Sequence, residues 1–255
     1  MLLRTRSLTV SYGGVRAVDA VTLDVEPGTL VGLIGPNGAG KTSLIDALSG
    51  FVGYEGSVVL DDVPLDRLPP HERARRGLVR SFQTVELFDD LDVRGNLLVA
   101  GNHLTVWGAL RDLVAPRPSS GGRLDRAVEL VDIGHLLDCG TDELSEGERK
   151  LVGLCRALVA GPKVLLLDEP AAGLDTAESR GLGERLRAIV DAGTTVLLVD
   201  HDMDLVLNVC DLVHVIEGGR HIASGSPEEV RSHARVAAAY LGIDPAEGAR
   251  GGVQV

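Results

Sequence analysis

The stretch Gly35-Pro-Asn-Gly-Ala-Gly-Lys-Thr42 organises this sequence. It follows a short apolar run, Leu30–Ile34, which predicts a buried strand, and it precedes residues 43–49, which predict a helix ending at Gly50. Its glycines let the backbone curl so that successive N–H groups point inward. Those donors and the N-terminus of the following helix would together form a cradle for phosphate oxygens.

The Lys-Thr pair at the end of this stretch makes the prediction more specific. Lys41 can reach β- and γ-phosphates, and the Thr42 hydroxyl can ligate Mg²⁺, as the P-loop motif requires between a strand and a helix. A glycine-rich turn that only joins strand to helix is the alternative, and the spacing and both flanks disfavour it. The residues predicted to bind a nucleoside triphosphate are Gly35, Pro36, Asn37, Gly38, Ala39, Gly40, Lys41, Thr42 and Ser43.

Composition limits the classes of function. With 255 residues, 44% of them hydrophobic, the chain suits either one large domain or a core domain with a smaller subdomain. The formal charge of −12 and the 3% aromatic content disfavour a nucleic-acid partner. The three cysteines are far apart without a CxxC pair, which indicates thiols in a reducing compartment. Because neither a signal peptide nor a long apolar run is visible, we expect a soluble cytoplasmic chain whose membrane role comes through a partner.

Apolar runs and helical patterns alternate along the chain, which predicts an α/β fold with an antiparallel start. Strands are expected at residues 2–10, 17–25, 30–34, 57–60, 78–81, 164–168 and 194–199, followed by a hairpin of 212–216 and 220–223. Helices are expected at 43–49, 71–76, 93–101, 123–137, 176–192, between Ser145 and Gly161, and from Ser226 to about residue 241.

The middle of the sequence changes character, because strand signals vanish over residues 86–140. We interpret this part as an inserted helical subdomain, with residues 1–85 and 141–242 forming the core. Residues 243–255 are rich in glycine and alanine and are expected to form a flexible tail.

Two acids follow the apolar run of residues 164–167, which is typical of a buried parallel strand. Asp168 at the strand end is placed to hold Mg²⁺, directly or through water. Glu169 comes next and could orient and deprotonate a water molecule. A solvated acidic strand exit is the alternative, and the upstream P-loop disfavours it.

Four further positions are ambiguous from their residue types alone. His201 follows another buried strand and is either structural or a γ-phosphate contact, and Gln83 follows the strand at 78–81 and is otherwise a surface amide. Tyr12 is either a half-buried strand-end ring or a surface for stacking an adenine. Ser145, with Gly147 beside it, completes a helix capping box with Glu148 and could equally form a second anion site.

Together these motifs resemble an ATP-binding cassette (ABC) ATPase, and the resemblance covers nearly the whole chain. It implies a P-loop NTPase core of ABC-ATPase type, with an N-terminal antiparallel β subdomain and the inserted helical subdomain, that binds ATP and Mg²⁺. It implies an adenine-stacking position, a signature and a D-loop at Tyr12, at 144–148 and at 173–175 respectively. It also implies catalytic roles for Glu169, His201, Gln83 and Lys41, and Mg²⁺ ligation by Thr42, Gln83 and Asp168.

The family implies two cassettes stacked head to tail, with each ATP between the P-loop of one chain and Ser145 and Gly147 of the other. The signature departs from the usual LSGGQ and is LSEGE here. Glu146 and Glu148 would place two carboxylates near a γ-phosphate, which is electrostatically awkward unless they point outward. The departure puts the rate of hydrolysis in doubt more than the fold.

The finer resemblance is to cassettes of branched-chain amino-acid importers, through residues 80–88, 96–100, 168–175, 199–203 and 239–242. It implies transmembrane permease subunits, a second cassette that is identical or a sister chain, and indirectly a solute-binding protein. The chain would then lie peripherally on the cytoplasmic face of the cell membrane. Lipopolysaccharide-export cassettes share several of these stretches, so a lipid exporter is the alternative, and a soluble ABC ATPase outside transport is a further one.

Overall fold

A computed structural model describes residues 1–81, 86–101 and 121–233, and these form the predicted α/β fold. The strands are β1 Leu3–Tyr12, β2 Val15–Val21, β3 Asp24–Val25, β4 Leu30–Ile34, β5 Glu55–Leu60, β6 Val63–Pro64, β7 Leu78–Ser81, β8 Val164–Asp168, β9 Thr195–Val199, β10 Leu212–Glu217 and β11 Arg220–Gly225. The α-helices are α1 Lys41–Ser49, α2 Pro70–Arg75, α3 Val93–Gly101, α4 Gly121–Val131, α5 Glu146–Val159, α6 Thr176–Asp191, α7 Met203–Val209 and α8 Pro227–Ser232. Two 3₁₀ turns lie at Gly134–Leu136 and Thr141–Glu143.

The larger sheet has the strand order β11-β10-β4-β9-β8-β7. All neighbouring pairs are parallel except β10 and β11, which form the predicted hairpin. Every residue of β4, β8 and β9 is buried, as expected for strands covered on both faces. The carboxyl ends of β4, β7, β8 and β9 therefore meet at one edge, where such sheets bind ligands.

The two faces of this sheet pack into different hydrophobic clusters. Residues of β4 alternate, so that Leu30 and Ile34 pack on the side of helices α3 to α6, while Val31 and Leu33 pack on the side of α1. The second cluster also contains the inner residues of the antiparallel sheet, in which β1 lies between β2 and β5. Helix α1 is thereby held between the two sheets, and the loop before it is fixed at both ends.

In the described part of residues 86–140 the regular secondary structure is helical, formed by α3, α4 and the first 3₁₀ turn, with no strand beyond an isolated bridge between Asp92 and Gly140. Helices α3 and α4 contact each other and pack against α5. The sequence predicted one helix over residues 123–137, but α4 ends at Val131 because Asp132 has a φ of +59° and the chain continues into a 3₁₀ turn. The predicted tail at 243–255 lies outside the described residues.

Two other predicted elements differ from the structure. The strand expected over residues 17–25 is divided into β2 and β3 at residues 22 and 23, where the N–H of Leu23 donates to the side-chain hydroxyl of Thr5 and not to a backbone carbonyl of β1. The last helix was expected to reach about residue 241, but α8 ends at Ser232, because His233 is extended, with φ −74° and ψ 118°. Residues 234–241 of that prediction lie outside the described residues.

Candidate functional site

The loop between β4 and α1 has the backbone that the glycine pattern predicted. Gly38 and Gly40 have φ values of +79° and +100°, in the left-handed region that favours glycine. A Cβ at Gly40 would lie 2.1 Å from the carbonyl oxygen of Ala17, and one at Gly35 would lie 2.2 Å from that of Ile216. The loop is thus packed against two other strands, and only glycine fits at these positions.

Lys41 is the first residue of α1, and its side chain folds back into the loop. Its Nζ donates to the carbonyl oxygens of Gly35 at 2.6 Å and Pro36 at 3.1 Å. Burial lowers the pKa of Lys41, while the nearby carboxylates of Glu169 and Asp168 oppose that shift. The ammonium group is therefore placed in the concave side of the loop, where phosphate oxygens would be its natural partners.

Asp168 ends β8 at the same edge of the sheet, and its side chain is buried. Its Oδ2 accepts a hydrogen bond from Nη2 of Arg80 at 2.8 Å. Burial raises the pKa of Asp168 and the Arg80 guanidinium opposes this shift. Thr42 is exposed near the start of α1. A carboxylate and a hydroxyl are hard oxygen donors of the kind that Mg²⁺ prefers, so the two residues fit that ion.

Glu169 has a φ of +49°, which is uncommon for any residue other than glycine. Its N–H donates to the carbonyl oxygen of Val199 at 2.7 Å, so the strained turn is tied to the end of β9. His201, just beyond β9, is exposed, and its Nδ1 lies 3.7 Å from Oδ1 of Asp200. Glu169 and His201, two of the four residues predicted to be catalytic, therefore lie at the edge of the sheet that carries Lys41.

Asp200 is a residue of this edge that the sequence analysis missed. It is fully buried, and its two carboxylate oxygens accept the N–H groups of Ala171, His201 and Asp202 at 2.7–3.1 Å. It thereby joins the turn after β8 to the turn after β9. An acid directly after a buried apolar strand was the available signal for this role.

Ser145 and Glu148 form the predicted capping box at the start of α5. Oε2 of Glu148 accepts hydrogen bonds from both the N–H and the hydroxyl of Ser145, each at 2.8 Å. These bonds from the Ser145 backbone and hydroxyl lower the pKa of Glu148. The condition that both signature carboxylates point outward is thus not met, because Glu148 turns back onto the helix start.

Glu146 does extend outward, with 77% of its side chain exposed. Its Oε1 is 3.2 Å from the place a Cβ would occupy at Gly173, so the signature lies beside the 173–175 turn. Gly147 makes a close approach as well, since a Cβ there would lie 2.9 Å from Oε1 of Glu178. In that turn Asp175 caps α6 and forms a second capping box with Glu178.

Tyr12 and Gln83 are the remaining predicted site residues. Tyr12 ends β1 next to a glycine turn, and 47% of it is exposed, so its ring is accessible to a ligand. Gln83 lies outside the described residues.

Among the residues that are described, no three His, Cys, Asp or Glu side chains are arranged to hold a metal ion by themselves. Over the same ranges, every helix is too short or too polar to cross a membrane.

Comparison with known proteins agrees with this geometry. Residues 18–172 match the ABC transporter family model, and residues 220–246 match a model described as branched-chain amino acid ATP-binding cassette transporter. The high-affinity branched-chain amino acid transport ATP-binding proteins LivG of Escherichia coli and BraF of Pseudomonas aeruginosa are each 38% identical to this chain, covering 94% of it and 98% of their own lengths. The lipopolysaccharide export system ATP-binding protein LptB of Escherichia coli is also 38% identical, over 95% of this chain and 98% of its own.

Solved structures show the same relationship. The ADP conformation of MJ1267, an ATP-binding cassette of an ABC transporter, superposes with a TM-score of 0.82 at 30% identity, covering 95% of this chain and 99% of that one. A nucleotide-free cassette from an ABC transporter gives a TM-score of 0.81 at the same identity and coverage. The predicted fold class is confirmed, and the chain belongs to the ABC transporter family as an ATP-binding, ATP-hydrolysing cassette.

Proposed function

We propose that this chain powers the uptake of branched-chain or related amino acids as one cassette of an importer. The observation that carries the cargo class is the match of residues 220–246 to the branched-chain amino acid cassette model. The equal identity to LptB keeps a lipopolysaccharide or lipid exporter as the second candidate. The strongly acidic chain and its few aromatic residues favour neither candidate and argue against a nucleic-acid partner.

In this proposal the loop of residues 35–43 binds the phosphates of ATP through its inward N–H groups and Lys41, and Tyr12 stacks on the adenine. Thr42 and Asp168 hold Mg²⁺, with Gln83 as a third ligand. When bound, the ion neutralises phosphate charge and orients the reacting group. The support is the oxygen donor set of Thr42 and Asp168 and the cation of Lys41 held inside the loop.

Glu169 orients and deprotonates the attacking water, and His201 contacts the γ-phosphate. Asp200 positions both residues, because its carboxylate fixes the turns that follow β8 and β9. The proton leaves the water for a Glu169 carboxylate oxygen as the water oxygen bonds to the γ-phosphorus. The bond from that phosphorus to the oxygen bridging the β- and γ-phosphates breaks, and ADP leaves with that oxygen. Gln83 would sense the γ-phosphate from the segment that leads into the inserted helices.

A second cassette, identical or a sister chain, completes each site by placing Ser145 and Gly147 against the ATP of its partner. The Ser145 hydroxyl is bonded to Glu148 in the single chain, so it must exchange that bond for one to phosphate. We keep the division into a core of residues 1–85 and 141–242 and a helical subdomain of 86–140. The signature helix α5 belongs to the core and lies under the inserted helices.

We propose that the permease contacts the surface formed by residues 86–101, which follow Gln83 in the sequence. Four apolar side chains are exposed there, on α3 and the segment before it: Phe88, Leu91, Leu98 and Val99. Arg156 on α5 donates to the carbonyl oxygen of Glu86 at 2.6 Å, so this surface is joined to the signature helix. The contact would place the chain peripherally on the cytoplasmic face of the membrane, with a solute-binding protein acting from the far side of the permease.

The test is transport in the source organism. Deleting this chain should abolish uptake of labelled leucine, isoleucine and valine, and the wild-type chain, but not its Glu169→Gln variant, should restore it. A charge reversal at Glu86 should leave ATPase activity and reduce uptake. Normal amino-acid uptake together with a defect in lipopolysaccharide delivery would transfer the proposal to the exporter.

A further inference from the structure

Arg80 lies between two carboxylates of the nucleotide site. Its Nη2 donates to Oδ2 of Asp168 at 2.8 Å, and its Nη1 donates to Oδ1 of Asp46 at 2.5 Å. The three side chains come from β7, β8 and α1, so one guanidinium joins three elements. Only 10% of the Arg80 side chain and 4% of the Asp168 side chain are exposed, which shields the bridge from water.

Asp46 brings this bridge next to Thr42, the proposed metal ligand on α1. Asp46 follows Thr42 by four residues, and residues four apart lie on the same face of a helix. The guanidinium also lies 6.0 Å from the ring centroid of Phe51, which supports it from a third side. The planar fork of arginine can bond both acids at once, whereas the point charge of a lysine cannot.

The charges of the bridge explain why a cation is needed there. A buried carboxylate is costly unless it is paired with a positive charge and hydrogen bonded. Asp168 has Arg80 as that partner through Oδ2. Asp46 holds the same guanidinium from the other side and so divides its charge between two acids.

We propose that Arg80 is a positioning residue that orients Asp168 through Oδ2 and competes with the divalent cation for that carboxylate. The proposal rests on the proposed function, in which Asp168 holds Mg²⁺. Two cations that share one carboxylate repel each other, so Arg80 weakens Mg²⁺ binding. Asp46 has the opposite effect, because it draws the guanidinium away from Asp168.

This proposal predicts effects of opposite sign for two members of one bridge. Arg80→Gln keeps hydrogen-bond donors but removes the charge, and Mg²⁺ should bind about tenfold more tightly, roughly 1.4 kcal/mol. Asp46→Asn leaves Arg80 to Asp168 alone, and Mg²⁺ should bind severalfold more weakly. If the bridge only stabilised the fold, both substitutions would loosen it. The Mg²⁺ affinity would then change in the same direction in Arg80→Gln and in Asp46→Asn.

The experiment measures the Mg²⁺ dependence of binding of a fluorescent ADP to the full chain. Arg4→Gln is the matched control, since it removes the same charge from an exposed pair with Asp62 on the antiparallel sheet. Tightening of more than threefold in Arg80→Gln with weakening in Asp46→Asn supports the proposal. A smaller change or a weakening in Arg80→Gln, or a tightening in Asp46→Asn, overturns it.

One further variant and a folding control separate the possible failures. Asp168→Asn should lose the Mg²⁺ response; a response equal to that of the wild type would refute the metal assignment itself, independently of Arg80. Circular dichroism and ADP binding in EDTA show whether Arg80→Gln folds. If it does not, Asp46→Asn decides alone, because Asp46 lies at the helix surface: weakened Mg²⁺ binding supports the proposal and unchanged binding overturns it.

Discussion

The backbone of Glu169 is held in the left-handed region, with φ at +49°. Such a conformation costs a residue other than glycine on the order of 1–3 kcal/mol, and it persists only where neighbouring structure enforces it. Here the carbonyl of Val199 accepts the Glu169 N–H, and Asp200 accepts the N–H of Ala171 two residues further on. The strained residue is the proposed base, which agrees with the tendency of strain to concentrate at functional sites.

Substitution of Lys41 is expected to weaken ATP binding. Lys41→Ala removes the ammonium group that lies inside the phosphate loop, so ATP affinity should fall by about tenfold or more. Isothermal calorimetry measures this directly. Lys163→Ala is the matched control, because it removes a charge from an exposed pair with Asp61. Equal ATP affinity in Lys41→Ala and wild type would show that the loop is not the nucleotide site.

The two signature positions should respond differently to substitution. Ser145→Arg places a long cation at the contact with the second cassette, so it should block dimer formation and ATPase activity while ATP binding to the single chain survives. Glu146→Gly should not lower ATPase activity, because that carboxylate is largely exposed. Phosphate release and nucleotide binding measure both. A large loss of activity in Glu146→Gly would assign the carboxylate a role in hydrolysis.

Among the secondary-structure elements, the hairpin of β10 and β11 pairs the buried His214 with the partly buried His221. Nδ1 of His214 lies 3.0 Å from Nε2 of His221, so the rings share a hydrogen bond. Burial and the neighbouring His221 lower the pKa of His214 from 6.5 to about 4, with Asp24 opposing the shift. Burial also lowers the pKa of His221. Both rings are therefore neutral in the folded chain at pH 7.

This pair predicts a loss of stability in acid. Between pH 6.5 and about 4 the unfolded chain binds a proton at His214 that the folded chain does not, so the free energy of unfolding decreases as pH falls. The loss is at most on the order of 3 kcal/mol. Thermal unfolding across this range should show a shallower acid dependence for His214→Gln than for the wild type. His71→Gln, at an exposed histidine, is the control, and equal slopes for His214→Gln and wild type would contradict the prediction.

The elements that the sequence predicted well are those with a local cause. Residues 164–168 form a strand because a continuous apolar run suits a strand buried on both faces. The start of α5 was predictable because the capping box lies within four residues. The early end of α4 was not, since the left-handed Asp132 has no glycine or proline signal.

Contacts between distant residues had no comparable signal. Arg80 bonds acids that lie 34 and 88 positions away, and only the order of strands in the larger sheet brings them together. His214 and His221 are closer in sequence, but their pairing depends on the register of the hairpin, which is irregular between Val215 and Ile216. Lys41, Asp168 and Glu169 were predictable because their motifs include the strand and helix that place them.

For the whole molecule, we propose that a second chain completes the site. Lys41, Asp168 and Glu169 lie at the carboxyl edge of the larger sheet, while Ser145 caps helix α5, which packs against α3 and α4. In the single chain the Ser145 hydroxyl is bonded to Glu148. ATP bound between two cassettes would therefore act as the contact that holds them together, and hydrolysis would release it.

Slowing hydrolysis should make that dimer persist. Glu169→Gln preserves size and hydrogen bonding but lowers basicity, so turnover should fall by the roughly 10²–10⁴-fold that a positioned base contributes. ATP and Mg²⁺ should still bind, because Lys41, Thr42 and Asp168 are unchanged. Size-exclusion chromatography with Mg-ATP should then show a dimer of the variant, or of the variant with an added sister cassette, that the wild type forms only transiently.

Asp168→Asn is the matched control for this experiment, because it also exchanges a carboxylate for an amide at the adjacent position. It should lose Mg²⁺ retention and with it the dimer, so trapping and slow turnover occur together only in Glu169→Gln. Near-normal phosphate release in Glu169→Gln would assign the base to another residue. A different result would be slow phosphate release by Glu169→Gln with no stable dimer, even when the sister cassette is added. ATP would then remain bound without joining two chains, which would argue that ATP does not bridge two cassettes.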